Sequence, residues 1–314
     1  MSRVKVIINP HAGQGAGAQI KDKVARALRR VGVAFDLDET RAPGDALAWS
    51  AAARSAGYET ILAVGGDGTV NEVINGMVQA TAEGEVVRRL AIYPLGTGND
   101  LAFMAGCPTN LDTIAQHIAA GPTRRIDLGR ADLHGPRSGG SRQLVRYFGN
   151  NVGLGFEAQV TLESYRLRWV AGGIRYYAAA LQALRSYPSP YVELSWETPE
   201  GTWERRAQKT LLISVGNSAR TGGGFYLVPD ALMDDGLLDI GVTRPVSRLR
   251  ILMLMPKALR GAHRNDPAFE LHRCRRLELN CPETLPVHLD GEVVMHDVQT
   301  ASIDILPSRL EIVL

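Results

Sequence analysis

The sequence predicts an α/β protein, with a doubly wound parallel sheet in its N-terminal third and a β-rich second domain. Three observations lead there. Apolar strand-like runs alternate with helix-period stretches as far as residue 120. After Gly121-Pro122 the chain changes to strand-like segments joined by Gly, Asn and Asp turns. Two glycine-rich loops each follow directly on a buried-strand pattern, Thr60-Ile61-Leu62-Ala63-Val64 and Leu90 to Tyr93. Such alternation favours a parallel sheet that gathers its binding loops at the carboxyl ends of the strands.

In the first region, strands are expected at 4–8, 34–39, 60–64 and 90–93, and helices near 16–31, 44–56, 70–82 and 110–120. Val70, Val73, Ile74 and Met77 recur at helical spacing and mark the third helix. Further on, strands are expected at 146–150, 191–196, 209–215, 237–242, 276–279, 286–289 and 302–306, with helix-like stretches near 157–187 and 246–261. Arg137 to Arg142, with Ser and Gly between, reads as a flexible loop. The expected domains are residues 1–124, to which an apolar run at about 307–314 returns, and residues 125–306.

With 314 residues, 45% hydrophobic, the chain is long enough for two buried cores. A formal net charge of +2 carries no global nucleic-acid signature. Three cysteines without a C-x-x-C pair, and seven histidines without ligand spacing, point to a reducing compartment and no zinc site. The N-terminus enters a strand directly and reads as lacking a signal peptide. Apolar runs such as Ile251 to Pro256 are too short to span a bilayer. A cytoplasmic protein with at most peripheral membrane contact is expected, and the oligomeric state stays open, a homodimer included.

The segment Gly65-Gly66-Asp67-Gly68-Thr69-Val70-Asn71-Glu72 lies at a strand-to-helix turn. Glycines there let backbone N–H groups approach an anion, and the helix N-terminus adds partial positive charge. That is the geometry of a phosphate cradle. The second loop, Pro94-Leu95-Gly96-Thr97-Gly98-Asn99-Asp100, adds a hydroxyl between two glycines. Plainer readings stand beside these. Thr69 and Glu72 suit a helix capping box, and Asn99 or Asp100 suits an N-cap. Asp67 reads as a loop-ordering or metal-positioning group, Asp235-Gly236 as a turn, and Leu289-Asp290-Gly291-Glu292 as a hairpin turn. Gly13-Gln14-Gly15-Ala16-Gly17-Ala18 fits G-x-G-x-x-A, with Asp36, Asp38 and Glu39 about 20 residues on. Asn9-Pro10-His11-Ala12 separates it from its strand, which weakens that dinucleotide fingerprint. No G-x-x-x-x-G-K-[ST] occurs.

The paired loops resemble the diacylglycerol kinase catalytic-domain family, which includes YegS-like, sphingosine and ceramide kinases. The resemblance takes in Asn9-Pro10, continues through Pro229 to Asp239, and ends at His288-Leu289-Asp290-Gly291-Glu292. It implies an ATP site with Asn9, Thr40, Gly65, Gly66, Asp67, Gly68, Thr69, Val70, Asn71, Glu72, Gly96, Thr97, Gly98 and Asn99, and with Glu292 binding nucleotide or orienting Asp290. It implies Asp290 as general base, with Asp67 as second candidate. It also implies Mg²⁺, with a second-domain cation at Asp235 and the carbonyls of Leu232 and Leu237. The implied activity is transfer of the ATP γ-phosphate to a lipid hydroxyl, diacylglycerol or a related alcohol.

NAD kinases share the first loop and are the alternative. A non-catalytic nucleotide-binding regulator is another, and the N-terminal glycine cluster leaves an oxidoreductase reading. Nine Lys/Arg lie between residues 244 and 276. The segment Glu157 to Tyr187 mixes Arg166, Arg168, Arg175 and Arg185 with Tyr165, Trp169, Tyr176 and Tyr177. Both suit an anionic membrane surface, or equally a solvated charged face over a packed core.

Overall fold

The computed structural model describes residues 3–15, 17–137, 140–167 and 173–314. Ala16, Ser138, Gly139, Arg168 and Trp169 lie outside the described residues. The chain divides into two compact units, Met1–Leu128 with Pro307–Leu314, and Gly129–Leu306.

In unit 1 the elements run β1 (Arg3–Ile8), a 3₁₀ turn (Ala12–Gly15), α1 (Gly17–Arg30), β2 (Ala34–Glu39), α2 (Asp45–Ser55), β3 (Thr60–Gly65), α3 (Asp67–Gln79), β4 (Val87–Pro94), α4 (Asp100–Ala105) and α5 (Leu111–Ala120). β1 pairs in parallel with β2 and β3, and β3 with β4. The C-terminal residues Leu310 and Ile312 add a further parallel strand against Val87 and Leu90. Every residue of the central strand β3 is buried, so its sequence is a continuous apolar run rather than an alternation. Ile20, Val24, Ala27 and Leu28 recur every three to four residues along α1. They pack with Val4, Val6, Ile8, Leu62 and Val64 in one core.

Helix α3 starts at Asp67, three residues earlier than the apolar spacing indicates. Gly66, in an extended conformation, is its N-cap, so the glycine motif forms the first helical turn itself. Thr69 therefore lies inside the helix, and no Thr69–Glu72 capping box forms.

Unit 2 continues β5 (Thr123–Arg137), whose residues from Gly129 onward pair with β6 (Gly140–Phe148). Then come β7 (Asn151–Gly155), α6 (Phe156–Arg166), α7 (Gly173–Ser186), β8 (Tyr191–Glu197), β9 (Trp203–Lys209), β10 (Leu212–Gly216) and β11 (Leu238–Thr243). The unit closes with α8 (Arg248–Ala258), β12 (Phe269–Cys274), β13 (Arg276–Leu289) and β14 (Glu292–Val313, which runs on into unit 1). The order β12-β11-β10-β7-β13-β14 is antiparallel throughout, and β8 and β9 extend from β13. Its inward side chains, with Phe148, Trp196 and Leu277 among them, form a second core.

Three expectations change here. Arg137 and Gly140 face each other at the end of a β-ladder, where a loop was expected from composition. Ala131 and Leu133 point inward between polar neighbours, a period-2 pattern made faint by small residues. The separate strands 276–279 and 286–289 are one strand, β13. Register shifts between Asn280 and Leu285, and again before His288, absorb Pro282 and Pro286, which cannot donate to the ladder. The helical stretch 157–187 is two helices. Among the described residues no helix is long and apolar enough to cross a membrane.

Candidate active site

The two glycine loops of unit 1 are packed on each other. A Cβ built on Gly96 would lie 2.7 Å from the Gly66 Cα, and one on Gly66 would lie 3.1 Å from the Gly96 Cα. The glycines thus serve close approach of two backbones as well as open access to an anion. The Leu95 N–H donates to the Gly65 carbonyl at 2.8 Å, continuing the β3–β4 register into the loops.

Asp67 ties the loops together. Its carboxylate accepts the N–H groups of Asn99 (2.7 Å) and Asp100 (2.9 Å). Neither Asn99 nor Asp100 supplies the side-chain cap of α4; Asp67, from the other loop, does. The Asn99 side chain instead closes its own loop, accepting from the Gly96 N–H and donating to the Gly96 carbonyl, both at 2.8 Å. Its left-handed backbone (φ 49°) makes that turn.

Asn9 joins the same edge from β1. Its N–H donates to the Val64 carbonyl at 2.9 Å, and its Nδ2 donates to the Thr69 hydroxyl at 3.0 Å. Thr40 follows β2 and donates its N–H to the Ile8 carbonyl at 2.8 Å. It lines a groove with Pro10, His11, Glu39 and Arg41. The structure therefore brings Asn9, Gly65 to Thr69 and Gly96 to Asn99 together, with Thr40 at the end of the neighbouring strand. Thr97 is exposed, and Gly66 and Gly68 are partly so. The Gly68 and Thr69 amides lie in the first turn of α3 and have no intrahelical acceptor.

Three other candidates have structural employment. Val70 is in the core. Asn71 is buried and accepts from Asn75 through its carbonyl (2.9 Å) and Oδ1 (3.1 Å). Glu72 accepts the N–H groups of Gly44 (2.9 Å) and Ala46 (3.2 Å), capping α2 across the helix pair. The acids of the dinucleotide fingerprint are paired: Asp36 with Arg3 at 2.9 Å, Asp38 with Lys5, and Glu39 with Lys21 at 2.9 Å. Tyr58 donates to Asp36 at 2.5 Å, and this bond chiefly holds the Asp36 carboxyl below its usual range.

In unit 2, Asp290 and Gly291 are the two central residues of the β13–β14 turn, both with positive φ (48° and 82°). That is the type I′ hairpin an Asp-Gly pair favours. The Asp290 side chain is buried. Its carboxylate accepts three backbone N–H bonds, from Gly149 (3.0 Å), Asn150 (2.9 Å) and Asn151 (3.0 Å). The carboxylate is consequently fixed in orientation. Glu292, beside it, takes a 3.5 Å hydrogen bond from the Tyr165 hydroxyl, which also donates to the Gly291 carbonyl at 2.9 Å. Burial, with Glu292 next, pushes the Tyr165 phenol up to about 12.

Next to this turn lies an apolar pocket. Phe156 and Val160 of α6, Tyr176 and Ala180 of α7, Leu211, Leu212, Phe225 and Leu227, and Ile251, Leu254, Met255 and Ala258 of α8 line it. Glu157, His288 and Gly291 supply a polar end. Glu157 Oε1 accepts from Asn151 Nδ2 (2.9 Å) and Thr221 (3.3 Å) and lies 3.3 Å from His288 Nε2. Its Oε2 is buried without a hydrogen-bond partner. Asn151 therefore contacts Asp290 through its main chain and Glu157 through its side chain. Sequence reasoning gave Glu157 and His288 no role, although His288 opens the last motif of the resemblance. The signal for Glu157 was an acid in the first turn of a helix directly after an apolar strand.

The residues of the expected second-domain cation site are differently engaged. Asp235 pairs with Arg273 and accepts the Leu237 N–H at 3.1 Å. Arg273 Nε also lies 3.7 Å from Asp239, its cross-strand partner. Burial first, then Asp235 and Asp230, push Asp239 up to about 6, against the pull of Arg273. The Arg273 guanidinium thus lies against both carboxylates. Leu232 is exposed, and no three metal-ligating side chains converge among the described residues.

Residues 3–131 match the model of the diacylglycerol kinase catalytic domain, and residues 150–314 match the YegS C-terminal NAD kinase beta sandwich-like domain. The diacylglycerol kinase of Mycobacterium tuberculosis is 32% identical over 315 residues, covering 99% of this chain and 95% of that one. Among solved structures, a diacylglycerol kinase from Bacillus anthracis aligns with a TM-score of 0.70 at 21% identity, covering 99% of this chain and 96% of that one. Yeast NADH kinase complexed with NADH aligns with a TM-score of 0.53 at 10% identity, covering 100% and 83%. At these identities the two structures bear on fold alone.

Proposed function

The chain belongs to the diacylglycerol kinase catalytic-domain family of ATP-dependent lipid kinases, and from that premise we propose which groups carry the reaction and what accepts the phosphate. Unit 1 binds ATP. The first-turn amides of α3 at Gly68 and Thr69, the Thr97 hydroxyl and the loop backbone at Gly66 and Gly98 hold the phosphates, with Asn9 and Thr40 flanking. Asp67 positions the second loop rather than touching substrate. When bound with ATP, Mg²⁺ supplies charge neutralisation on the phosphates.

Unit 2 binds the acceptor. Its apolar pocket takes an acyl chain, and the polar end at Glu157, His288 and Gly291 takes the head of the lipid. Asp290 accepts the hydroxyl proton as the γ-phosphate is transferred. The observation that carries this reading is an apolar pocket whose polar end adjoins a carboxylate fixed by three N–H bonds. The acceptor is diacylglycerol or a related lipid alcohol, met at a membrane surface from the cytoplasmic side.

The test is transfer of label from γ-labelled ATP with Mg²⁺ to bacterial lipid extract in mixed micelles, with NAD in parallel. Label in the organic phase is expected, and chromatography of that product names the acceptor. Label only in the dinucleotide would replace this reading with an NAD kinase. Label in neither, with ATP binding intact, would replace it with a nucleotide-binding regulator.

A further inference from the structure

Glu157 lines the apolar pocket with its side chain only 9% exposed, and its two carboxylate oxygens are in different positions. Oε1 accepts from the Asn151 side-chain amide and the Thr221 hydroxyl, and it faces His288 Nε2. The Gly291 N–H reaches His288 Nδ1 at 3.4 Å, which makes Nδ1 the acceptor and leaves the ring proton on Nε2, toward Glu157. Oε1 therefore has three donors. Oε2 has none, and among the described residues no lysine or arginine pairs with Glu157. A buried carboxylate oxygen without a donor costs free energy until something supplies one.

Glu157 and His288 lie against the backbone of β7. A Cβ built on Gly153 would stand 2.2 Å from His288 Nε2 and 2.6 Å from Glu157 Cδ, so glycine is what leaves them room. Asn151, earlier in the same strand, holds both acids of the site. Its N–H donates to Asp290 and its side-chain amide donates to Glu157. One residue thus sets the spacing between the carboxylate that takes the hydroxyl proton and the carboxylate with an unpaired oxygen. A lipid whose reacting hydroxyl reaches Asp290 brings the neighbouring carbon of its head toward Glu157. An ester on that carbon offers only acceptors and leaves Oε2 unpaired, whereas a hydroxyl there can donate.

We propose that Glu157 is a specificity-determining residue that selects lipids carrying a vicinal diol, one hydroxyl being phosphorylated and the other donating to Glu157 Oε2, as a monoacylglycerol can. The proposal rests on the lipid-kinase reading and narrows it. Diacylglycerol becomes the poorer acceptor, because the carbon beside its hydroxyl carries an ester. In the transfer the reacting oxygen bonds to the γ-phosphorus, its proton passes to Asp290 and ADP leaves. The second hydroxyl keeps its proton and serves recognition alone.

The experiment compares three acceptors in mixed micelles with the full chain, ATP and Mg²⁺: monooleoylglycerol, oleoyl propanediol, which lacks only the second hydroxyl, and dioleoylglycerol. Binding of each is measured in parallel by displacement of a fluorescent fatty acid. In the wild type, kcat/KM for monooleoylglycerol should exceed that for oleoyl propanediol by at least about tenfold. Glu157→Gln keeps an oxygen for the three donors and puts an N–H donor where Oε2 stood. Its preference should fall to within about twofold of none, with the KM for ATP unchanged. A merely structural role would lower both acceptors alike and leave their ratio intact. Equal use of the two monoacyl acceptors by the wild type would overturn the proposal, whether or not the variant folds. So would a Glu157→Gln protein with the full preference. Dioleoylglycerol as the best acceptor would overturn it and uphold the kinase reading. With no lipid phosphorylated, tighter binding of monooleoylglycerol than of oleoyl propanediol would uphold the donor site and overturn the kinase reading, and equal binding would overturn both.

Discussion

In unit 1 the functional backbone comes from two contiguous loops, each at the end of a parallel strand. In unit 2 the carboxylate of Asp290 is held by amides 139 to 141 residues away in sequence. The first site is local and made largely of main chain. The second is assembled by the fold, and its polar groups are shared with the sheet that supports them. Substitutions in unit 1 should therefore tune nucleotide affinity. Substitutions around Asp290 should strike chemistry and stability together.

The largest effect is expected for Asp290→Asn. Turnover should fall by about 10²–10⁴-fold, the usual contribution of a general base. The amide would also turn N–H donors toward the N–H groups of Gly149 to Asn151, costing about 2–3 kcal/mol in denaturant unfolding. Gly96→Ala comes next. Its Cβ would meet backbone at 2.7 Å, so the loops must separate. ATP affinity measured by calorimetry should weaken about tenfold or more, with a stability loss of about 1–3 kcal/mol. A Gly96→Ala protein with unchanged ATP affinity would mean that the packed loops are structural only.

Asp239 sharpens the comparison through pH. Its folded value of about 6 lies above the usual carboxylate range, because burial favours the neutral form. Between about pH 4 and pH 6 the folded chain holds a proton that the unfolded chain has lost. The contribution of Asp239 is thus fully present below about pH 4 and is lost as pH rises through about 6. Melting curves should show wild type losing stability relative to Asp239→Asn across that window, by about 1–3 kcal/mol. Chelators test the same turn: an unchanged melting temperature of the wild type would leave Arg273 as its counter-charge, and a lowered one would place a divalent ion there. The smallest effect is expected for Asp67→Asn. It weakens one charged cap on α4, at a cost of about 1 kcal/mol by thermal unfolding.

What was legible in the sequence follows the same division. The strand–helix alternation, both glycine loops and the Asp290-Gly291 turn are contiguous, and local propensity writes them directly. That Asp67 orders a loop was legible, but its partners in the second loop and the capping of α2 by Glu72 were not. Their partners lie 32–33 and 26–28 residues away and depend on how loops and helices meet. Arg273 is 38 residues from Asp235, and only the β11–β12 register sets them together. The pocket end at Glu157 and His288 draws on elements with no shared motif. A pocket wall of ordinary apolar residues carries no spacing that separates it from core.

The most direct test of this division is to measure ATP affinity and turnover side by side in Asp290→Asn. The account predicts an ATP dissociation constant within about twofold of wild type, with turnover reduced at least about 10²-fold. Turnover like that of the wild type would contradict it, because the fixed carboxylate would then have no part in the chemistry.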